Sequence, residues 1–310
     1  MPRLTLLLPA TSRFAGVQLS QVLASALGRA DRVAHEAGED AQLARHFTLL
    51  PDRWAAAALT RVVDGGTEDA RLSGWLRADP AYIRPDINGA RLLATGDTLG
   101  IDAGDVEALL PALRPLFGDT GFALDAPHPG RWYLRLPRES KVPAFAAPAQ
   151  ALGEDVFEHI PGGAEARRWR VLSSEAQVVL HNHPHNAARA ARGKPPINSL
   201  WFWGGGVLPD HVTSTSPTLY SDDPLLQGLA HVAKLMPMPL DAFNDFTADA
   251  LVDLRMLHDP RALLEAWMLP AAASARRCEV LFDFADGPGF VLQAAQRWRF
   301  WRSPLGALVA

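Results

Sequence analysis

The chain of 310 residues has a single cysteine, Cys278, so no disulfide can form within it. A disulfide-stapled secreted scaffold is excluded, and a reducing compartment is favoured. A lone cysteine is ordinarily a small buried hydrophobe. No apolar run reaches the roughly 18 residues a membrane-spanning helix needs. The one apolar run near the start, Leu4 to Pro9, is interrupted by Thr5 and closed by a proline, which is short for an export signal. It reads as a buried first strand, and the cytoplasm is the expected location. No block of five like charges occurs and the net charge is −4, so neither a nucleic-acid arm nor an acidic tail is indicated. No nucleic-acid or membrane partner is expected.

What is present is an ordinary globular composition, 48% apolar and 21% charged. The length suits one large α/β domain or two smaller ones. Residues 17–27 place Val17, Leu19, Val22, Leu23 and Leu27 near helical spacing, with Gly28 as a stop. Residues 52–66 and 102–121 read as helices, the second opened by acidic capping residues. Between them, Asn88-Gly89 signals a tight turn between short strands. Residues 131–137 alternate as a half-buried strand, and the proline- and alanine-rich segment 137–153 reads as a connection. "NSLWFWGGG" reads as a buried strand entering a loop, residues 222–236 as a helix, and "TADALVDLRMLHDPRALLEAWMLPAAASA" as helical with a break at Pro260. The C-terminal stretch reads as a hairpin through "DGPG" followed by a basic, aromatic strand.

The least ordinary stretch is "VVLHNHPHNAARAARGKPPINSLWFWGGG", residues 178–206. His181, His183 and His185 alternate, and in an extended segment all three point the same way. That spacing suits either a metal or a nucleophilic histidine. It resembles the His-x-His-x-His core of the histidine-triad hydrolases and transferases. The intervening Asn182, Pro184 and Asn186 are not the hydrophobic residues those enzymes place there. The plainer alternative is that the histidines cap a loop and bond to backbone. Asn186 can cap a short helix that carries Arg189 and Arg192 on one face, followed by Lys194. Guanidinium forks suit phosphate or carboxylate oxygens. A solvated basic face is the competing reading. Three glycines after a strand allow close backbone approach but lack a dinucleotide or Walker spacing.

The same stretch, "HPHNAARAARGKPPINSLWFWGGG", resembles a segment of the archaeal-type cofactor-independent phosphoglycerate mutases of the alkaline-phosphatase superfamily. "DAGDVEALLPALRPLFGDTGFALDAPHPGRWYLRLP" looks like part of their inserted domain. "WLRADPAYIRPDINGARLL", "NSLWFWGGG" and "RWRFWRSP" are similar to elements of the bacterial RpfE-type regulatory family, which is often described as phosphoglycerate-mutase-like.

The resemblance implies an α/β fold with a mixed sheet core, flanking helices and an inserted smaller α+β lobe, an alkaline-phosphatase-like remnant. The expected core is 1–75 with 170–310, and the expected lobe is 76–169. The mutases bind two metal ions near an Asp-Gly-x-Gly-Asp after the first strand and use a later His-Ser-x-Pro. Here the first strand runs "LTLLLPATSRFAG" without an aspartate, and no His-Ser-x-Pro follows Asp253 and His258. Loss of paired metals would remove nucleophile activation and charge neutralisation.

The expectation is therefore a non-catalytic regulatory or binding protein without a cofactor. Its expected ligand is a phosphorylated small molecule or anion, held by Asn186, Arg189, Arg192, Lys194, Asn198, Gly204 and Gly206. The alternative is a phosphate-handling enzyme that uses His181, His183 and His185. Its protein partner, if it has one, is not specified by the sequence.

Overall fold

A computed structural model describes residues 2–87 and 89–309, except the side chain of Ala164. The expected Asn-Gly turn rests on Asn88 and lies outside the described residues. The chain divides into two compact units, Met1–Leu50 with His211–Ala310, and Pro51–Asp210.

The first unit is built on a mixed seven-stranded sheet. In chain order its strands are β1 (Arg3–Leu8), β2 (Asp31–Ala34), β10 (Leu219–Tyr220), β11 (Pro237–Met238), β12 (Ala250–Asp253), β13 (Glu279–Phe284) and β14 (Pro288–Leu292). Their spatial order is β11-β10-β12-β1-β13-β14-β2. The five strands from β11 to β13 run parallel, and β14 and β2 are antiparallel. A separate antiparallel pair joins β3 (Phe47–Leu50) to β9 (His211–Ser214).

Parallel strands are covered on both faces and so read as continuous apolar runs. Leu4, Leu6, Leu7 and Leu8 of β1 and Val280, Phe282 and Phe284 of β13 are fully buried. The helix Gln21–Arg29, capped by Ser20 accepting from the Leu23 N–H, buries Leu23 and Leu27. The hairpin through Asp286-Gly287 forms as expected.

Two expectations here are corrected. Ala250–Asp253 lies in a strand, not a helix. Its three apolar residues are buried between β1 and β10, and a short apolar run does not tell strand from buried helix. The segment after the hairpin is no strand: Ala294–Trp298 forms a 3₁₀ turn, anchored by Gln296 donating to Asp31 and to the Val291 carbonyl.

The second unit holds an antiparallel sheet. In chain order it contains β4 (Gly74–Asp86), β5 (Gly89–Thr95), β6 (Ala123–His128), β7 (Arg131–Leu136) and β8 (Ser199–Val207). They run β5-β4-β7-β6, with β8 also paired to β4. The helices Ala103–Gly118 and Ala164–His181 supply Leu109, Leu113, Phe117, Trp169, Leu172 and Leu180 to one core with Leu76, Trp132 and Phe202.

The expected division at 75/76 and 169/170 differs from these units. Residues 51–75 and 170–210 fall in the second unit because β8 pairs along β4, and Gly204 and Gly206 of β8 lie against Ala55–Ala57 at the start of the helix Ala56–Gly65. Gly204 (φ +67°) and Gly206 (φ +152°) have backbone angles that favour glycine. A Cβ at Gly204 would sit 2.9 Å from the Ala56 Cβ, and one at Gly206 2.8 Å from the Ala55 Cβ.

Candidate functional site

Two polar clusters stand out, one in each unit. In the first unit, Leu7 of β1 is in register with Asp253 of β12 on one side and with Asp283 of β13 on the other. In-register residues of parallel neighbours share a face. Tyr220 of β10 is in register with Val252, and Ser221, next in the chain, donates to the Asp253 carboxylate at 2.9 Å. The carboxyl ends of four adjacent parallel strands thus present a row of hydroxyl, carboxylate, leucine and carboxylate. In open α/β sheets this edge is where ligands bind.

Both carboxylates are occupied by cations of the chain itself. Arg255 grips Asp253 with Nε at 2.8 Å and Nη2 at 3.1 Å, and Nη2 also reaches Asp223 at 2.8 Å. Arg255, Asp253 and the Ser221 hydroxyl are buried together. Arg45 forks onto Asp283 with Nη2 at 2.6 Å and Nε at 3.1 Å, and His46 Nε2 lies 2.7 Å from the same carboxylate. Gln42 ties the strand ends together, donating to the carbonyls of Leu8 and Asp283.

Burial pushes the Asp283 carboxyl up, but the hydrogen bonds from His46 and Arg45 outweigh it and hold the group below the usual carboxylate range. Asp223 moves the other way. Burial raises it, helped by the nearby Asp253 charge and opposed by Arg255.

An open cleft of about 570 Å³ lies at this edge, lined in part by Pro9, Ser12, Arg13, Glu39, Arg255 and Asp286. Asp286 accepts from the Thr11 N–H and hydroxyl, closing the turn after β1. Arg13 is exposed and makes no ion pair among the described residues.

The two metal ions that the resemblance implies do not fit these residues. A divalent cation needs carboxylate oxygens that are free to coordinate. Both oxygens of Asp253 and both of Asp283 already accept from guanidinium or imidazole groups, and the place between them on β1 is Leu7. Among the described residues, no group of three or more histidine, cysteine, aspartate or glutamate side chains could hold a metal ion.

The second cluster contains the residues singled out from the sequence. The three histidines do not line up on an extended segment. His181 ends the helix Ala164–His181, His183 lies in the turn, and His185 opens the helix His185–Ala191. The rings of His183 and His185 are 6.5 Å apart between centroids, edge to face. His183 Nδ1 accepts from the His185 N–H, and His185 Nε2 lies 2.7 Å from Asp105.

The expected basic face is a clasp of three cations on two carboxylates. Arg189 is fully buried. It pairs with Asp105 and donates to the carbonyls of Leu99 at 2.7 Å and Pro195 at 3.0 Å. Arg192 reaches Asp105 at 3.0 Å and Asp102 at 3.2 Å, and Lys194 reaches Asp102 at 2.9 Å. Asp102 and Asp105 are the capping box of the helix Ala103–Gly118. Their positions at a helix N-terminus, among cations, keep both carboxylates ionised. Asp102 is held at about 2 by Lys194, the Asp105 N–H and Arg192. Asp105 is raised by burial but lowered further by His185, the Asp102 N–H and Arg189.

The remaining candidates are structural in the same way. Asn186 donates to the carbonyls of Leu180 and Ile197 and accepts from the Ile197 N–H. Asn198 exchanges two bonds with the Ile83 backbone. Gly204 and Gly206 let β8 approach the helix Ala56–Gly65. The pairing of Arg189, Arg192 and Lys194 with Asp102 and Asp105 is not apparent from sequence, because the partners are 84 to 92 residues apart. The first cluster was missed too, although "ALVD" and "VLFD", apolar runs ending in aspartate, carried a signal for it.

No protein-family model matches the chain. Over 110 residues it is 33% identical to a probable 2,3-bisphosphoglycerate-independent phosphoglycerate mutase of Geobacter sulfurreducens, 35% of this chain and 27% of that protein. Over 62 residues it is 39% identical to the 2,3-bisphosphoglycerate-independent phosphoglycerate mutase of Methanosarcina barkeri, 20% of this chain and 16% of that protein. The matches thus span about a quarter or less of the length of these relatives. Among solved structures, the cofactor-independent phosphoglycerate mutase of Thermoplasma acidophilum aligns with a TM-score of 0.43 at 14% identity, over 94% of this chain and 90% of that one. A protein from Pyrococcus horikoshii aligns at 0.44 and 11% identity, over 94% of this chain and 87% of that one. The similarity to cofactor-independent phosphoglycerate mutases is therefore distant.

Proposed function

We propose that this chain is a phosphoglycerate-mutase-like regulatory or binding protein of the RpfE type that does not catalyse phosphoryl transfer. The observation that supports this reading most directly is Arg255. It lies in the buried edge of the sheet, both Asp253 oxygens and Asp223 bonded to one guanidinium. Phosphoryl transfer by paired metals needs cations that meet the transferring group and polarise its oxygens. A guanidinium held on two aspartates by Nε and Nη2 is a fixed cation that offers neither an open coordination position nor a lowered water pKa. Arg45 and His46 do the same at Asp283.

A phosphorylated small molecule is the ligand class we assign to this protein. The exposed Arg13, beside Ser12 in the cleft, is better placed to meet it than Arg189, Arg192 or Lys194, which already face Asp102 and Asp105. The test is an enolase-coupled assay of 3-phosphoglycerate with and without manganese, run beside calorimetry with phosphate and phosphoglycerates. Expected are no turnover above a mock purification and binding that Arg13→Ala weakens by about tenfold, as for one charge-assisted contact. Turnover that disappears in Asp283→Asn would overturn the non-catalytic reading. Binding that Arg13→Ala leaves unchanged would overturn the assignment of the cleft.

A further inference from the structure

The second unit contains a cavity of about 420 Å³ that neither cluster uses. It falls within the range of roughly 300–1,000 Å³ typical of small-molecule sites. Its walls are aromatic. Phe145, Trp169, Trp201 and Phe202 line it, with Val156 and Ile160 beside them. These rings are held in place. Trp169 stacks on Phe122 at 5.3 Å between centroids, and Trp201 Nε1 donates to the Ala146 carbonyl at 3.0 Å. Phe157, at the same cavity, is 63% exposed, a large apolar side chain left in solvent.

One side of this apolar space is polar. Arg170, Ser173, Ser174 and Gln177 of the helix Ala164–His181 also line it. Their spacing of i, i+3, i+4 and i+7 makes them a single stripe along the helix. A stripe turned toward an apolar sheet is ordinarily apolar itself. The adjoining stripe of Trp169, Leu172, Ala176 and Leu180 already supplies the core contacts of this helix. The polar stripe is therefore not needed for packing. Among the described residues, the side chains of Ser173, Ser174 and Gln177 make no hydrogen bond to the rest of the chain. Arg170 spends only Nη1, on the Pro161 carbonyl at 3.0 Å. Arg170, Ser174 and Gln177 are exposed and Ser173 is half-buried, so two hydroxyls, an amide and most of a guanidinium stand at the open rim of this cavity with donors to spare.

We infer that this cavity binds a small aromatic carboxylate. The flat ring would lie against Phe145 and the exposed Phe157 and Ile160, over the buried rings of Trp169, Trp201 and Phe202. The carboxylate would meet Arg170 and the Ser173, Ser174 and Gln177 donors. A single guanidinium suits a monoanion, and a phosphate dianion would remain half-neutralised in an apolar space. The site lies within one unit and does not depend on the function proposed above.

The experiment is calorimetric titration of the full chain with 1-naphthoate and, as the neutral counterpart, 1-naphthamide. One equivalent of naphthoate is expected to bind below millimolar. Arg170→Gln should weaken naphthoate by about tenfold and the amide by less than twofold, since only the first loses a charge-assisted contact. Ser173→Phe, which fills the cavity from the helix, should abolish binding of both probes while circular dichroism shows the fold retained. The proposal is overturned if neither probe binds the folded wild type. It is equally overturned if Arg170→Gln leaves naphthoate affinity unchanged, or if Ser173→Phe binds as wild type does.

Discussion

Replacing Arg255 by methionine tests the strand-end cluster directly. Methionine keeps much of the length and apolar stem of arginine and removes the charge. In the wild type, Arg255 and Asp253 are 8% and 4% exposed, so neither can find water in compensation. The substitution leaves Asp253 with Ser221 and a backbone N–H, and Asp223 without a cation. Removing one partner of a buried ion pair costs about 3–5 kcal/mol, most of it the penalty of the stranded charge. At about 2–4 °C per kcal/mol, the melting temperature at pH 7 should fall by roughly 6–20 °C.

The sign of the pH dependence separates a stranded charge from a mere packing defect. An aspartate in the unfolded chain titrates near 3.9, as a rough reference. Asp223 is already raised in the fold by burial, and the loss of Arg255 removes the chief influence that lowers it. Groups whose folded value lies above the unfolded one stabilise the fold when protonated. Their contribution is lost as the pH rises through the raised value. The deficit of Arg255→Met relative to wild type should therefore be full at pH 7–8 and shrink as the pH approaches about 4. Adding Asp253→Asn should recover part of it at neutral pH. Thermal melts at half-unit pH steps read this directly. A deficit below about 1 kcal/mol, or one that is flat with pH, would show that the cluster is not the buried ion pair argued for here.

The clasp of the second unit makes a sharper pair. Arg189→Ala leaves the carbonyls of Leu99 and Pro195 without that donor and takes one cation from the buried Asp105, which keeps Arg192 and His185, and should cost about 2–4 kcal/mol in urea melts, whereas Arg192→Ala, 43% exposed at its side chain, should cost under about 1 kcal/mol. Similar losses for the two would contradict the burial difference. Gly204→Ala should destabilise by about 1–3 kcal/mol, because φ is +67° and the new Cβ would meet the Ala56 Cβ at 2.9 Å. A neutral result would mean that β8 can shift. Asp283 and Asp105 both titrate below their ordinary value in the fold. Their stabilising contribution is therefore present above about pH 4 and lost as the pH falls through the lowered values, so Asp283→Asn and Asp105→Asn should each flatten the acid limb of the stability curve.

The parts of the fold legible in the sequence were those set by local pattern. The strand Arg3–Leu8, the capped helix Ala103–Gly118 and the hairpin between Phe284 and Pro288 follow from apolar runs, capping acids and a glycine turn. The strand β12 did not, because Ala250, Leu251 and Val252 are apolar on both faces and their neighbours β1 and β10 are far away in sequence. The histidine stretch failed for the same reason. Alternation of His181, His183 and His185 means convergence only if the backbone is extended, and here a helix ends and another begins within it. The cations after it were recognised as a face, but whether such a face is free depends on what opposes it. In sequence the acids that open residues 102–121 read only as helix caps, and a capping box has carboxylate oxygens left over after it has satisfied two N–H groups.

The same point governs the site in the first unit. Asp253, two residues from Arg255, and Asp283 each looked unremarkable in sequence. Their meaning comes from the register that sets both level with Leu7 at one sheet edge. In such a row three features together decide the chemistry: which strand supplies a carboxylate, which supplies a leucine, and where the nearest guanidinium comes from. Charge counting alone does not separate a metal site from this arrangement, because a guanidinium and a divalent ion both neutralise aspartates. The difference is directional. Arg255 holds its partners with fixed donors, so the aspartate oxygens are not free to take a metal ion, while its Nη1 stays without a partner among the described residues beside the cleft that Arg255 lines.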